Sequence, residues 1–415
     1  MGDWIKTTLG NFVTLQRGHD LTASQRQIGP IPVMGSAGVN GYHDEARAKG
    51  PGVTIGRSGV GSMGVVSYSP VDYWPHNTVL YVTDFHSNDP KFTYYFLQQQ
   101  NLRRFDSGSA QASLNRNYLY PIEIEVPEPQ EQHAIARILG SLDDKIELNR
   151  RQNATLEELA RAIFQSWFVD FDPVRARAEG RTPAAMDAAT AALFPDGFDV
   201  VDGREVPRGW DTAPLSNLCE YIMSGGTPDT RKEEYWGGSI PWLSSGETRE
   251  RFIVTTEKTI TPLGVNESST RMARAGSIVI AGAGQGYTRG QTSLLLFDSY
   301  INQSVVAVAA NHVLISDLYI FFDLARRYEE FRQISDSHSS RGSLTTKLLG
   351  NIQVLRPPIQ LVAAFDQLVK PIVEKVRSNL QQSRTLTALR DTLLPRLLSG
   401  ELRVRVAEEI IEDAL

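Results

Sequence analysis

Residues 127–159 read PEPQEQHAIARILGSLDDKIELNRRQNATLEEL, and residues 357–389 read PPIQLVAAFDQLVKPIVEKVRSNLQQSRTLTAL. Shifted by about 230 residues, the two stretches align without a gap. Pro127, Gln130, Lys145, Asn149, Gln152, Thr155, Leu156 and Leu159 fall on Pro357, Gln360, Lys375, Asn379, Gln382, Thr385, Leu386 and Leu389. Upstream the match continues with small shifts. Trp4 and Leu9 answer Trp210 and Leu215, GPIPVMGS (29–36) answers GSIPWLSS (238–245), and SLNRNYLYPIEIEVP (113–127) answers SLTTKLLGNIQVLRP (343–357). A repeat of this length decides the architecture: the chain is two half-chains of one design.

Each half holds two kinds of sequence. Residues 1–127 and 208–357 are rich in Gly, Ser and short apolar runs such as VTIGRSGVGSMGVVSYS and SIVIAGAGQGYTRGQTSLLLF, the pattern of strands joined by turns. Residues 131–168 and 361–398 lack that punctuation, and their apolar residues recur by sevens. Ile135, Leu142, Leu156 and Ile163 form one series, Phe365, Ile372, Leu386 and Leu393 the other, and each has an Asn at its middle, Asn149 and Asn379. A sustained heptad predicts a long helix with one apolar seam, about 57 Å for some 38 residues. The nearest partner for each seam is its twin. A buried polar residue weakens such a seam but fixes its register, the role expected of Asn149 and Asn379. The plainer alternative is that each helix packs only on its own globular domain. Antiparallel pairing would put one domain at each end under a pseudo-twofold axis, a geometry that suits a bipartite linear ligand such as duplex DNA.

The bulk composition is compatible with several domains. The chain has 415 residues, 41% of them hydrophobic and 22% charged. No apolar run approaches the roughly 18 residues of a membrane helix and no leader pattern opens the sequence, so a cytoplasmic location is expected. Cys219 is the only cysteine, which excludes an internal disulfide and a Cys-based zinc site. It reads as a small core residue. The net charge of −6 argues against a stand-alone binder held by phosphate contacts.

Signals for catalysis are weak. Gly59–Gly64 (GVGSMG) is formally GxGxxG, but strand-like sequence comes after it, so a hairpin loop is expected instead of a dinucleotide cradle. There is no GxxxxGK[ST] loop and no HExxH, and the seven histidines are scattered. Asp170 and Asp172 in VDFDP read as a helix end and turn. The polypeptide is therefore expected to be no enzyme and to hold no metal.

The run LARAIFQSWFVDFDPVRARAEG (159–180), then LFPDGFDVVDGREVPRGW (193–210) and later LLPRLLSGEL (393–402), together with the duplicated domain-plus-helix plan, resembles the specificity subunit of type I restriction-modification enzymes. The resemblance covers essentially the whole chain. It implies an α+β fold in which two β-rich target recognition domains are separated by two long antiparallel coiled-coil helices. The expected division is a first recognition domain at 1–127, a first long helix at 128–170, a linker at 171–207, a second recognition domain at 208–357, a second long helix at 358–400 and an acidic tail at 401–415. It further implies double-stranded DNA as ligand, each domain reading one half of a split sequence. Modification (methyltransferase) subunits, two of them, would be partners, with restriction (nuclease and translocase) subunits in a cutting complex. S-adenosylmethionine, ATP and magnesium would belong to those partners, which also supply the phosphate attraction that this acidic chain lacks. Two alternatives stay open: a specificity subunit of a methyltransferase-only system, and a coiled-coil adaptor whose β-rich domains bind proteins or glycans.

Base reading requires planar pairs of hydrogen-bonding groups, chiefly Arg for guanine and Asn or Gln for adenine, on loops that can approach a groove. Two loops per domain fit. GRSGVGSMG (56–64) offers Arg57, Ser58 and Ser62, and SGSAQASLNRN (107–117) offers Gln111, Asn115 and Arg116. At the equivalent places of the second domain, AGAGQGYTRGQ (281–291) offers Gln285, Tyr287 and Arg289, and SHSSRGSLTTK (337–347) offers Arg341, Ser343 and Lys347.

Overall fold

The computed structural model of the chain describes residues 4–59, 61–105, 113–201, 203–284, 287–338 and 343–412. These form two compact units, one of residues 1–148 with 383–415 and one of residues 149–382.

In the first unit, strand Ile5–Thr8 pairs antiparallel with Glu123–Val126 and so ties the start of the domain to its end. Between them lie two sheets. The larger has the order Thr14–Arg17, Val79–Asp84, Gly52–Gly56, Val66–Ser69, with antiparallel neighbours throughout. The smaller has the order Gly38–His43, Ile31–Gly35, Trp74–Pro75, the last pair being parallel. Helix Pro90–Gln98 starts where the Asp89 carboxylate accepts from the Lys91 and Phe92 amides. It buries Phe92 and Phe96 against Phe12.

The second unit repeats this plan. Asp211–Pro214 pairs with Gln353–Arg356. The larger sheet runs Cys219–Ser224, Val305–Ala310, Ile278–Ala281, Thr292–Leu295, with Phe252–Ile253 added in parallel at the edge. In the smaller sheet Trp236–Leu243 lies between Lys258–Ile260 and Ser299–Ile301, antiparallel to the first and parallel to the second. Helix Asp317–Ala325, capped by the Ser316 hydroxyl, stands where Pro90–Gln98 stands in the first unit. Strand order and strand sense thus repeat along with the sequence. This is the signature of a duplicated domain, because order and sense do not follow from composition.

Each long helix has 40 residues, Pro129–Phe168 and Ile359–Leu398. Within the second unit their contacts run in opposite senses. Asn149 Nδ2 donates to Gln382 Oε1 at 2.9 Å, Asn379 Nδ2 donates to Asn153 Oδ1 at 2.9 Å, and Phe164 meets Phe365 at 5.7 Å between rings. Within the first unit Arg390 reaches Asp143 at 2.7 Å, and Ile135, Leu142, Leu386 and Leu393 share one buried core with the sheet residues Leu15, Val53 and Leu80. The fold is α+β, with two β-rich domains and an antiparallel pair of long helices whose seam is the heptad series. Asn149 and Asn379 are each 1% exposed, and their amides meet polar partners instead of solvent.

The segment between the first helix and the second domain is ordered by aromatic packing. Trp167 meets Phe194, Phe171 meets Phe198 and Trp210, and Phe168 meets Trp210. Asp170 accepts from Gln165 Nε2 and Asp172 from Ser166 Oγ, so both carboxylates serve the helix end. The acidic stretch near the C-terminus contains helix Val404–Glu412, with Ala407 and Ile411 buried in the first unit's core. The i, i+4 spacing of those two residues accounts for its one-sided burial.

Candidate nucleic-acid interface

In the first domain, strands Gly52–Gly56 and Val66–Ser69 pair antiparallel as a hairpin. The formal GxGxxG run is this hairpin loop and opens no helix. Two bonds to Gly56 close the loop: Gly64 N donates to Gly56 O at 2.7 Å, and Gly56 N donates to Val65 O at 2.7 Å. Gly64 has φ +79°, and a Cβ there would come within 3.2 Å of the Arg103 backbone nitrogen, so this position needs glycine on both counts. The second loop comes back beside the first. Leu114 N donates to Arg57 O at 2.8 Å, and Ser58 bridges Ser113.

The same meeting occurs in the second domain. Gly290 N donates to Ala281 O at 2.9 Å and closes the loop, and Leu344 N donates to Gly282 O at 2.7 Å. The two loops expected to act together are thus adjacent in both domains.

In the first domain Arg57, Asn115 and Arg116 line one polar cleft of about 620 Å³, together with Gln16, Arg17 and His19. Asn115 also caps helix Arg116–Leu119 by accepting from Asn117 N. The Arg116 guanidinium donates to Leu15 O at 3.0 Å. Ser62 donates within its own loop to Ser58 O at 3.3 Å. In the second domain Tyr287 is 84% exposed, Lys347 is exposed on helix Thr346–Gly350, and Ser343 is half-buried. Arg289 is different: it is buried and paired with Asp336 of helix Tyr328–His338. A guanidinium held this way braces its loop against that helix. Gln111, Gln285 and Arg341 lie outside the described residues.

Sequence reasoning missed Arg17, because it searched the Gly- and Ser-rich loops and Arg17 ends a strand. No local sequence pattern marked it: the neighbouring Gly18 answers the close approach of the His76 backbone, where a Cβ would stand 2.0 Å from the carbonyl oxygen.

Among the described residues, no group of three or more His, Cys, Asp or Glu side chains could hold a metal ion, and no helix is long and apolar enough to cross a membrane. Burial, with Asp317 nearby, pushes the Cys219 thiol up to about 12, which leaves it protonated and unreactive at neutral pH.

A duplicated β-rich domain with paired loops, carried on two antiparallel helices, is the form of a DNA-specificity protein, and comparison with known proteins agrees. The family described as the type I restriction modification DNA specificity domain matches residues 1–158 and 207–378. The type I restriction enzyme HindI specificity subunit of Haemophilus influenzae is 31% identical over 321 residues, 68% of this chain and 69% of the relative. The MjaIX specificity subunit of Methanocaldococcus jannaschii is 25% identical over 318 residues, 76% of this chain and 69% of the relative. In fold, the crystal structure of the type I restriction-modification S subunit from M. genitalium superimposes with a TM-score of 0.64 over 96% of both chains, at 18% identity. The chain belongs to the type I restriction-modification DNA specificity family, as a specificity subunit with two DNA-recognition domains.

Proposed function

We propose that the two recognition domains read the two halves of a bipartite duplex target and that the paired long helices set the gap between them. In this reading the chain itself performs no chemistry. It docks modification subunits, which carry the methyl donor, and in a cutting complex restriction subunits that use ATP and magnesium.

The observation that carries the reading is the doubled loop pair. Leu114 on Arg57 and Leu344 on Gly282 join the same two loops at the same place in both domains. Arg17, Arg57 and Arg116 in the first domain supply cations and forked donors suited to phosphate and guanine. Tyr287, Ser343 and Lys347 supply the corresponding surface in the second. From sequence, Gln111 is assigned to the first domain's loops and Gln285 and Arg341 to the second's. The net charge of −6 fits a subunit whose phosphate attraction comes largely from partners. The exposed flanks of the helices are the expected docking surface.

The test is to map modified bases genome-wide in a host with and without this chain. A split methylated sequence that vanishes with the chain is the expected outcome. An unchanged pattern of modified bases rejects the reading, and cutting without ATP-dependent partners would reject the non-catalytic role.

A further inference from the structure

The hairpin loop of each domain is held at a corresponding place by a residue that takes no part in the proposed base and phosphate contacts. In the first domain the Arg103 guanidinium donates through Nη2 to Gly61 O at 2.7 Å and through Nε to Met63 O at 3.1 Å. In the second, the Tyr328 hydroxyl donates to Tyr287 O at 3.0 Å. These acceptors correspond: Gly61 stands three residues before Gly64, which closes the first loop, and Tyr287 stands three residues before Gly290, which closes the second. The donors correspond as well, since each lies just beyond the domain's main helix, after Pro90–Gln98 and after Asp317–Ala325. The closing glycines also rest on the same donors. A Cβ on Gly64 would meet Arg103, and one on Gly290 would come within 3.4 Å of the Tyr328 ring. Two chemically unlike side chains thus make one contact in both halves of a duplicated chain.

A loop whose carbonyls are pinned keeps its remaining groups in place before the ligand arrives. A free loop would have to be ordered on binding, which subtracts from affinity. The ion pair of buried Arg289 with exposed Asp336 ties the same loop of the second domain to the same helix as Tyr328.

We propose that Arg103 and Tyr328 are positioning residues, a repeated clamp that holds the hairpin loop of each recognition domain in its DNA-reading geometry without touching bases. The proposal rests on the reading of these loops as DNA-facing. An Arg could instead bind phosphate directly, and the two roles differ in salt dependence. A lost phosphate contact lowers the slope of log affinity against log salt by about one, whereas a lost positioning contact leaves it.

The experiment uses the full chain with its modification subunits, on duplexes bearing the intact target or a target scrambled in one half. Arg103→Ala is expected to weaken binding to the intact target about tenfold, to erase discrimination at the first half only and to keep the salt slope. Arg103→Gln is expected to restore part of the loss, because its Nε2 stands at the bond position of the Arg Nε that serves Met63 O. Tyr328→Phe, which removes one hydroxyl and no charge, is expected to weaken discrimination at the second half alone, with an unchanged unfolding temperature. Arg57→Ala serves as the control on the loop itself. If Arg57→Ala harms the first half while Arg103→Ala and Tyr328→Phe leave both halves intact, the clamp is refuted and the DNA-facing loop stands. If no loop or clamp variant affects either half, the loop reading itself has failed. Equal damage from Arg103→Gln and Arg103→Ala with a slope lower by about one makes Arg103 a phosphate ligand. Equal loss at both halves with a lowered unfolding temperature makes the contacts purely structural. Either of these last two results overturns the proposal.

Discussion

Asp366 of the second long helix shows how this scaffold holds charge where it packs on a domain. Burial pushes its carboxyl up to about 6, against the downward pull of the Ser316 hydroxyl that donates to Oδ1 at 2.8 Å, and nearby Asp317 raises it further. His312 and Lys370 act in the opposite direction. A carboxyl whose pKa is higher in the folded chain than in the unfolded one favours folding below the unfolded value near 4. That contribution is lost as pH rises through about 6. Asp366→Asn keeps an acceptor for Ser316 and carries no charge. It should raise stability at pH 8 by on the order of 1–3 kcal/mol and have no effect near pH 4. Urea unfolding at the two pH values checks this, and an equal gain at both would show that charge burial is not the cause.

At the scale of elements, the helices and the loops were legible to different degrees. The heptads were readable because the seam residues lie close in sequence and obey one period. Pro371 and Pro395 sit inside the second helix without ending it, so its apolar packing outweighs the local penalty of a missing amide donor. The loop pairs were readable from glycine and polar content. The holding residues were not, because Arg103 on Gly61, Tyr328 on Tyr287 and Arg289 on Asp336 are pairings across some forty residues that no local pattern announces. Arg289 illustrates the limit: its sequence context matches a base-reading loop, and only the packing shows the guanidinium turned inward. The Asn pair is a sharper test of how the helices are specified. Asn149→Ala removes the donor to Gln382 Oε1 and to Asn379 O, leaves polar groups buried and should cost about 1–3 kcal/mol. Changing Asn149 and Asn379 together to Leu should be neutral or stabilising, while the seam loses its fixed register. Helix content by circular dichroism should persist in the double variant, and a pair of cysteines across the seam should then crosslink in more than one register. A single register in the double variant would assign that role to the aromatic packing around Phe164 and Phe365 instead.

For the whole molecule, the proposed ruler makes a claim about length that a merely structural helix pair does not. Asn149 and Asn379 mark the facing midpoints of the two helices, and Gln152 and Gln382 stand equally far beyond them. Four residues inserted after Gln152 and four after Gln382 lengthen both helices by about 6 Å and rotate the C-terminal half of each by only ~40°, so the seams still face each other. With DNA rising ~3.4 Å per base pair along each strand, the recognised gap should widen by one or two base pairs while both half-sites keep their sequence. Two residues inserted at the same points behave otherwise. They add about 3 Å but turn the C-terminal half-helix by ~200°, which carries its apolar stripe away from its partner and its domain away from the duplex. Recognition should collapse. Mapping methylated sites for both variants, expressed with the modification subunits, separates the cases. A folded, active four-residue variant that keeps the original gap would show that the spacing is set within the recognition domains, and the helices would then serve only to join them.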